Sequence, residues 1–399
     1  MLSKNAAGAN DTADVIRHTL PVVEQSIGDI SQRFYHRMFT AQPELLHDLF
    51  NRGNQANGSQ QQALAGSIAV FARASVTHPE VPPRAMLERI AHKHASLNIT
   101  PEQYRIVYEH LFAAIADVLG DAVTPEVAAA WSEVYWTMAD TLVDIENELY
   151  RSSDAPDRNT WRTYRVTARY RETADVTTFQ AVPADGSAAP AGRPGQYVSV
   201  QVPVSDGAKQ IRQYSLTNTH NGTVQFAVKR VADDPAGEVS TRLHEHVHEG
   251  DLLRISAPFG DVVLSDGDHP VVLASAGIGA TPIVSMLNHL ANTGSRRTVT
   301  AVHADTTPQN HPLRGDFEQL LGKLPNGTGH VFYESPGPGH PPERTGYVDL
   351  RTVPVPTDST AYLCGPLPFL RSMHSQLVDV GVSPDAIHYE VFGPDLWFE

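Results

Sequence analysis

The stretch MLERIAHKHASLNITPEQY, residues 86–104, decides the fold of the first part of the chain, because it has the pattern of two helices joined by a turn. The apolar residues of the first helix recur at helical spacing: Leu87, Ile90 and Leu97. His94 falls between them on the same stripe, whereas His92 points to the opposite face. A histidine on such a stripe is either an ordinary core residue or an axial ligand to a metal.

Further polar residues lie on apolar helix faces on both sides of this stretch. Tyr35, Gln60 and Tyr104 each fall in line with apolar residues at helical spacing. Buried polar side chains need partners, so several of them together indicate a site. On the last helical segment Glu146 lies near the edge of the apolar stripe and Glu148 points away, which makes Glu146 the better candidate for a buried acid. The alternative for each residue is a place at the edge of the core with its polar tip in water.

Two Thr-Pro pairs mark helix starts in this helical part of the chain. At Thr100 and Thr124 the threonine is suited to the N-cap and the following proline to the first helical position. Gly120 is a suitable end for the first of these helices, and the second ends near Tyr150. The helical pattern therefore stops at about residue 150.

Composition and charge exclude several classes of protein. The 399 residues suffice for two or three domains, and 41% hydrophobic with 19% charged residues is typical of globular chains. A net charge of −15 repels nucleic acid and anionic lipid, so we expect no nucleic-acid partner. The single cysteine, Cys364, excludes an internal disulfide and an all-cysteine metal cluster. No segment resembles a signal peptide or a transmembrane span, so we expect a cytoplasmic protein.

The change of residue pattern along the chain predicts a multi-domain architecture. An all-α domain over residues 1–150 is followed by a polar linker at 151–159. Residues 160–266 contain short β-branched runs and predict an antiparallel barrel: WRTYRVTARY, GQYVSVQVPV, IRQYSLTN, TVQFAVKRV and DLLRISAP. Residues 267–399 alternate strands with helices and predict an α/β domain with a parallel sheet: VVLASAG, TVTAVHA, AYLCG and IHYEVFG.

The barrel region has one strand whose residues suit an anionic, aromatic ligand. Alternation along Arg212, Gln213, Tyr214 and Ser215 lets one strand present a guanidinium that can pair with phosphate, a stacking ring and a hydroxyl. The helix that begins at 237–240 offers its amides to a pyrophosphate. The alternative is an ordinary strand with an exposed arginine.

The α/β region has a glycine-rich turn directly after its first strand. This turn is Gly277, Ile278, Gly279, Ala280, Thr281 and Pro282, in which Thr281 and Pro282 suit the cap and first position of a helix. The third glycine of the dinucleotide fingerprint is absent, so the turn by itself is weak evidence for a nucleotide site. Another strand ends at Cys364, whose thiol is either near a ligand or simply buried and inert.

With these residues the helical part resembles the globin domain of bacterial flavohaemoglobins. The resemblance rests on FYHRMF, PELLHDLFN, NQANGSQQQAL and RIAHKHASLNITPEQY, and it continues to the end of the chain. It implies haem b with His94 as the iron ligand, and Tyr104 and Glu146 bonded to the other nitrogen of that histidine. The other residues that it places at the haem are Tyr35 and Gln60 in the distal pocket, Leu64 as an apolar gate, Phe50 packed on the haem and Lys93 beside the ligand.

The rest of the chain is similar to ferredoxin-reductase-like modules that bind FAD and NAD(P)H. The resemblance places the FAD at Tyr197, Arg212, Gln213, Tyr214, Ser215, Gly237, Glu238, Val239, Ser240 and the C-terminal aromatic Phe392. The GxGxTP pattern of that family matches the turn at 277–282 and assigns it to NAD(P)H, together with Cys364, Gly365 and Pro366 on the nicotinamide side.

The resemblance implies a nitric oxide dioxygenase. NAD(P)H would reduce FAD, FAD would reduce the haem one electron at a time, and O2 and NO would be the substrates of a conversion to nitrate. The alternatives are a gas-binding or gas-sensing globin kept ferrous by its own reductase, and a flavin-dependent haem or peroxide reductase. Asp305 favours NADH over NADPH, whereas Arg296 and Arg297 blunt that preference. We expect a monomer.

Overall fold

The computed structural model describes residues 2–53, 59–77, 83–153, 155, 157–219, 222–233 and 235–393. The chain divides into two compact units, one made mainly of Met1–Thr160 and the other of Trp161–Gly207 and Ile211–Phe392. In the described residues no helix is long and apolar enough to cross a membrane. The first unit is all-α, and the second contains an antiparallel barrel and a parallel sheet, which confirms the predicted fold class.

The helices of the first unit are α1 (Leu2–Gln25), α2 (Ile27–Ala41), α3 (Pro43–Asp48), α4 (Ser59–Thr77), α5 (Arg84–Leu97), α6 (Pro101–Leu119) and α7 (Pro125–Ser152). Both Thr-Pro pairs begin helices as predicted. Thr124 Oγ1 accepts from the amide of Val127, and the Thr100 amide donates to Gln103 Oε1 over 2.8 Å. Asn98 ends α5 in the left-handed conformation, with φ of 60°.

The core of the first unit joins α2, α5, α6 and α7. Large apolar side chains fill it, among them the fully buried Phe34, Met38 and Leu87. Tyr35 and Tyr104 belong to the same buried cluster. The helices therefore bring polar groups from distant parts of the sequence into one apolar interior, where each must find a partner.

The barrel of the second unit closes from six strands: β1 (Trp161–Arg171), β2 (Val176–Pro183), β3 (Tyr197–Pro203), β4 (Lys209–Asn218), β5 (Val224–Lys229) and β6 (Leu252–Ser256). Their order is β1-β2-β5-β4-β3-β6. Strand β2 is absent from the sequence prediction, because β-branched and other residues do not alternate along VTTFQAVP. Helix α8 (Glu238–His246) follows β5.

The parallel sheet has the order β11-β10-β7-β8-β9. Its strands are β7 (Val271–Ala276), β8 (Val299–Asp305), β9 (Gly327–Tyr333), β10 (Thr360–Cys364) and β11 (Ile387–Glu390), with helices α9 (Ala280–Asn292), α10 (Arg314–Gly322) and α11 (Leu367–Asp379). The edge strand β9 also escapes prediction, because two glycines interrupt its apolar pattern.

Candidate functional site

His94, Tyr104 and Glu146 form one hydrogen-bonded triangle. His94 Nδ1 lies 2.8 Å from Tyr104 Oη and 3.0 Å from Glu146 Oε1, and the Tyr104 hydroxyl donates to that same oxygen over 2.5 Å. Helix α5 carries the histidine, α6 the tyrosine and α7 the carboxylate. Three separate helices therefore fix the position of one imidazole.

The donors and acceptors of the triangle determine which imidazole nitrogen carries a proton. Burial, followed by the charge and the hydrogen bond of Glu146, raises the pKa of Tyr104 far above its usual range, so the phenol keeps its proton. That proton is donated to Glu146, which leaves Tyr104 Oη and Glu146 Oε1 as acceptors for a proton on His94 Nδ1. In neutral His94 the lone pair is then on Nε2. This nitrogen has no hydrogen-bond partner among the described residues, and the side chain is 28% exposed.

The surrounding helices hold the acid and the phenol in place. Glu146 is 0% exposed, whereas Glu148 on the same helix is exposed, in agreement with their helical angles. The Tyr135 hydroxyl donates over 2.6 Å to the backbone carbonyl of Tyr104 and so fixes α6 against α7. Glu146 Oε2 is buried and has no hydrogen-bond partner among the described residues, so the interior holds an incompletely paired carboxylate.

The rings of Tyr35 and Phe50, both predicted site residues, lie close together with the ring of Phe39. The ring centroids of Tyr35 and Phe39 are 5.5 Å apart, and those of Tyr35 and Phe50 are 5.9 Å apart. Tyr35 is buried, and Leu64 packs against the same core. The side chain of Gln60 lies outside what the structure describes, although its backbone belongs to α4. Lys93 is half-buried beside His94.

In the barrel, strand β4 carries the Arg-Gln-Tyr-Ser segment. The Tyr214 ring stacks on Phe226, with centroids 5.4 Å apart and planes 21° apart. Arg212 Nη1 donates to the carbonyl of Ile211 over 2.7 Å. Burial lowers the pKa of this guanidinium, and the charges of Tyr214 and Glu238 oppose that effect. A partly desolvated cation and an aromatic ring thus lie close together on one strand.

The neighbouring predicted residues pack tightly around this strand. Gln213 Nε2 donates to Ser199 Oγ over 3.0 Å, and Ser215 is buried. Tyr197 is buried at the start of β3, where a Cβ on Gly260 would lie 3.3 Å from its ring. The structure therefore places Tyr197 on β3 and the Arg-Gln-Tyr-Ser segment on β4 of the same barrel.

The start of α8 is a tight turn. The amide of Gly237 donates to the carbonyl of Val231 over 3.0 Å, and a Cβ on this glycine would lie 2.6 Å from Ser240 Oγ. Val239 and Ser240 are buried, and Glu238 is half-buried at the helix start. Only glycine fits this turn without displacement of its neighbours.

The glycine-rich turn of the sheet forms a 3-10 turn, Gly277–Gly279, that runs directly into α9 at Ala280. The prediction that Thr281 caps the helix is therefore wrong. Because the 3-10 turn precedes the helix, Thr281 falls in its first turn and its hydroxyl donates to the carbonyl of Ile278 over 3.0 Å. Pro282 is likewise already inside the first turn of the helix.

The two predicted turns of the sheet touch each other through their backbones. A Cβ on Gly279 would lie 2.2 Å from the carbonyl oxygen of Cys364 and 2.9 Å from the amide nitrogen of Gly365. Cys364 is buried, and its burial raises the pKa of the thiol, with Glu390 adding to the effect. Pro366 is the N-cap of α11. Phe392, near the C-terminus, is 47% exposed.

A buried pair of histidines at the carboxyl edge of this sheet is absent from the sequence predictions. The rings of His303 and His311 stack with centroids 3.8 Å apart. Nδ1 of His303 lies 2.9 Å from Ser275 Oγ, its Nε2 lies 3.6 Å from Asp305, and His311 Nδ1 lies 2.8 Å from Tyr333 Oη. His303 lies within β8 and His311 in the segment that follows it, and neither position by itself indicates that the two rings stack.

The guanidinium of Arg297 is hydrogen-bonded within the protein. Its guanidinium donates to the carbonyls of His269 and Ser265, each over 2.8 Å. Arg296 and Arg297 precede β8, whereas Asp305 ends it, so the arginines and the aspartate lie at opposite ends of that strand.

Comparison with known proteins agrees with this architecture. Residues 32–142 match the globin family, and residues 273–375 match the oxidoreductase NAD-binding domain. The flavohemoprotein of Bordetella pertussis is 42% identical over 392 residues, which cover 95% of this chain and 97% of that protein. The flavohemoprotein of Rhizobium meliloti is 41% identical over 97% of this chain and 99% of its own length.

Solved structures show the same likeness. A flavohemoglobin from Malassezia yamatoensis, with bound FAD and heme, has a TM-score of 0.89 and 37% identity over 96% of this chain and 99% of that chain. The FAD/NAD binding domain of nitric oxide dioxygenase from Vibrio cholerae has a TM-score of 0.54 and 37% identity over 58% of this chain and 99% of that chain. With a globin fold, a reductase fold and relatives that match along nearly its whole length, the chain belongs to the flavohemoprotein family.

Proposed function

We propose that this flavohemoprotein is an NAD(P)H- and FAD-dependent nitric oxide dioxygenase. The observation that carries the proposal is the His94–Tyr104–Glu146 triangle in the same chain as an oxidoreductase NAD-binding domain. A histidine bonded to a carboxylate is a strong electron donor, and a fused reductase supplies electrons for every turnover. The proposal also draws on the nitric oxide dioxygenase among the similar structures.

The residues of the first unit fit a haem. The lone pair of His94 Nε2 is on the side of the ring away from the triangle, and no described residue engages it. Tyr35, Phe39, Phe50 and Leu64 supply apolar and aromatic surface in the same core. His94 would therefore hold the iron, while Tyr35 and Gln60 would form the distal side.

The residues of the second unit fit FAD and a nicotinamide nucleotide. Arg212 offers positive charge to a phosphate, Tyr214 offers a ring, and the tight turn at Gly237 begins a helix whose amides favour anions. The contact of Gly279 with Cys364 brings two strand ends of the parallel sheet together, where such sheets bind nucleotides. The separation of Arg296 and Arg297 from Asp305 along β8 favours NADH.

The protein residues would have distinct tasks in this reaction. The chemistry supplied by bound FAD and haem is hydride uptake, single-electron transfer and O2 activation. Glu146 and Tyr104 hold the proton on His94 Nδ1 and make the imidazole more basic toward iron. The Tyr35 hydroxyl would donate a hydrogen bond to the gas ligand, and this donation favours ligands with partial negative charge.

A second candidate is a globin that only binds or senses O2 or NO and is kept reduced by the attached reductase. The two candidates differ in electron consumption, because a carrier needs occasional reduction whereas a dioxygenase needs it in every cycle. NADH oxidation in air is therefore measured before and after the addition of NO. A rise in NADH oxidation that continues until the NO is consumed supports the dioxygenase. A single short burst of oxidation supports the carrier.

A further inference from the structure

Arg158, close to the end of the first unit, bridges two segments of that unit. Its Nη1 donates to the carbonyl of Ile99 over 3.0 Å, and its Nη2 donates to Asn147 Oδ1 over 2.7 Å. The guanidinium carbon also lies 4.8 Å from the centroid of the Tyr150 ring, within the range of a cation–π contact. One side chain thus contacts the segment after α5 and the last turns of α7.

Both acceptors adjoin the residues of the His94 triangle. The amide of Ile99 donates to the carbonyl of His94 over 3.0 Å, so Ile99 is bonded to the histidine at one end and to Arg158 at the other. Asn147 directly follows Glu146 in α7. The arginine therefore ties together the two segments whose side chains form the 3.0 Å contact between His94 Nδ1 and Glu146 Oε1.

The backbone at this point is held in an unfavourable conformation. In the described residues, positive φ outside glycine occurs at Asn98, Arg158 and Leu313, and φ of Arg158 is 61°. Such a conformation costs free energy in an arginine and persists where surrounding contacts hold it. Asn98, which ends α5, lies beside Ile99 on the same bridge. Two of these three residues, Asn98 and Arg158, thus lie at the contact of Arg158 with the segment that follows the helix of His94.

The charge of Arg158 also reaches the region of the buried acid. The hydroxyl of Tyr150 and Glu146 Oε2 are both buried without a hydrogen-bond partner among the described residues. Burial raises the pKa of Tyr150, the charge of Glu146 raises it further, and the charge of Arg158 acts in the opposite direction. The phenol therefore lies in the fields of both the carboxylate and the guanidinium.

We propose that Arg158 is a positioning residue that holds Glu146 against His94 and thereby sets how strongly His94 donates electrons to a bound haem. This inference rests on the proposed function only in taking His94 as the iron ligand. The planar fork of arginine is required, because it reaches a backbone carbonyl and a side-chain oxygen at the same time, whereas a lysine ammonium is a single point of charge.

The test is the iron–histidine stretching frequency of the reduced, ligand-free holoprotein, measured by resonance Raman spectroscopy. Arg158→Ala removes the fork, and Arg158→Lys keeps the charge without it. Arg158→Gly removes the fork and also accepts the left-handed backbone, so it serves where the alanine variant is unstable. Arg151→Ala is the matched control. Arg151 is exposed at the end of α7, the helix of Glu146 and Asn147, and its Nε donates to the backbone carbonyl of Asn147 over 3.2 Å.

Glu146→Gln calibrates the measurement, because it directly weakens the hydrogen bond between His94 Nδ1 and residue 146. We expect Arg158→Ala and Arg158→Gly to lower the frequency in the same direction as Glu146→Gln, Arg158→Lys to lower it less, and Arg151→Ala to leave it at the wild-type value. A wild-type frequency in Arg158→Gly, with a lowered frequency in Glu146→Gln, overturns the role of Arg158 and leaves the proposed function standing. An unshifted frequency in Glu146→Gln contradicts the triangle itself.

Discussion

Tyr104 donates its hydroxyl proton to Glu146 Oε1 over 2.5 Å, and this bond determines how the neighbouring histidine can act. Since Tyr104 donates its only hydroxyl proton to the carboxylate, His94 Nδ1 must supply the proton in its contact with Tyr104 Oη. The lone pair of neutral His94 is thereby directed away from the acid. This arrangement leaves Nε2 of His94 as the nitrogen that would hold the iron in the proposed function.

The face of α5 that carries His94 should be the face that binds haem. We expect His94→Ala to lose the wild-type ferrous haem spectrum, because it removes the imidazole whose Nδ1 is held by Tyr104 and Glu146. His92→Ala should retain it, since His92 points to the opposite side of the helix. Haem content and the Soret band of the purified variants check this. A His94→Ala protein with an unchanged ferrous spectrum would show that the ligand is another residue.

Glu146→Gln should slow reduction of the haem or its reaction with O2 without emptying the haem site. The amide that replaces the carboxylate has no charge with which to raise the basicity of His94. Glu148→Gln, on the exposed face of α7, should react like the wild type. Stopped-flow mixing of the oxidised protein with NADH measures the reduction of the haem, and mixing of the NADH-reduced protein with O2 measures its reaction with O2. Equal effects of the two substitutions would refute the assignment of the acid.

Tyr35→Phe should speed the release of O2 from the reduced protein by roughly tenfold or more, because a charge-assisted donor contributes about 1.5–3 kcal/mol. Consumption of NO should fall with it, whereas flavin reduction by NADH should not change. Tyr108→Phe is the control, since that hydroxyl bonds Ser132 over 3.0 Å in the same core. An O2 release rate that Tyr35→Phe leaves unaltered would place Tyr35 outside the distal pocket.

Gly279→Ala should impair flavin reduction by NADH. Its Cβ would lie 2.2 Å from the carbonyl oxygen of Cys364, and backbone atoms cannot move aside as a flexible side chain can. Overpacking of this kind costs about 1–3 kcal/mol and should also lower the midpoint of thermal unfolding. Gly315→Ala is the matched control, because its added Cβ would meet nothing within 4 Å beyond its chain neighbours and the backbone of its own helix. If Gly279→Ala reduces its flavin at the wild-type rate, the two turns do not form the nucleotide site.

Stability should fall as the solution becomes more acidic than about pH 6.5, the usual histidine pKa. Burial lowers the pKa of His303, and burial followed by the charges of His303 and Arg314 lowers that of His311 to about 2. The unfolded chain therefore binds more protons than the folded one below that pH, and each such histidine removes up to about 1.4 kcal/mol per pH unit.

His311→Phe should make this loss of stability less steep, as measured by thermal unfolding across that pH range. His246→Phe gives the comparison, because His246 is exposed at the end of α8 and its ring is in water in both states. An acid dependence that is the same in His311→Phe and wild type would show that this histidine is not buried in the neutral form.

Helical geometry was sufficient to predict much of the first unit. The contrasts between His94 and His92 and between Glu146 and Glu148 follow from angles along a single helix. The strands β2 and β9 could not be predicted in this way, since glycines or a short mixed pattern obscure their alternation. The contact of Gly279 with Cys364 and the bridge from Arg158 to Ile99 join residues that are distant in sequence, and the stack of His303 on His311 depends on the path of the loop after β8, so only the folded chain shows these contacts.

The most direct test of the proposed function is rapid mixing of NO with the aerobic, NADH-reduced holoprotein, followed by assay of nitrate. One electron converts one NO and one O2 to nitrate, and a hydride carries two electrons, so the dioxygenase should form two nitrates per NADH oxidised. Nitrate formation should continue until NO or NADH is exhausted. Binding of NO without catalytic formation of nitrate, or oxidation of NADH that is independent of NO, would contradict the proposed function.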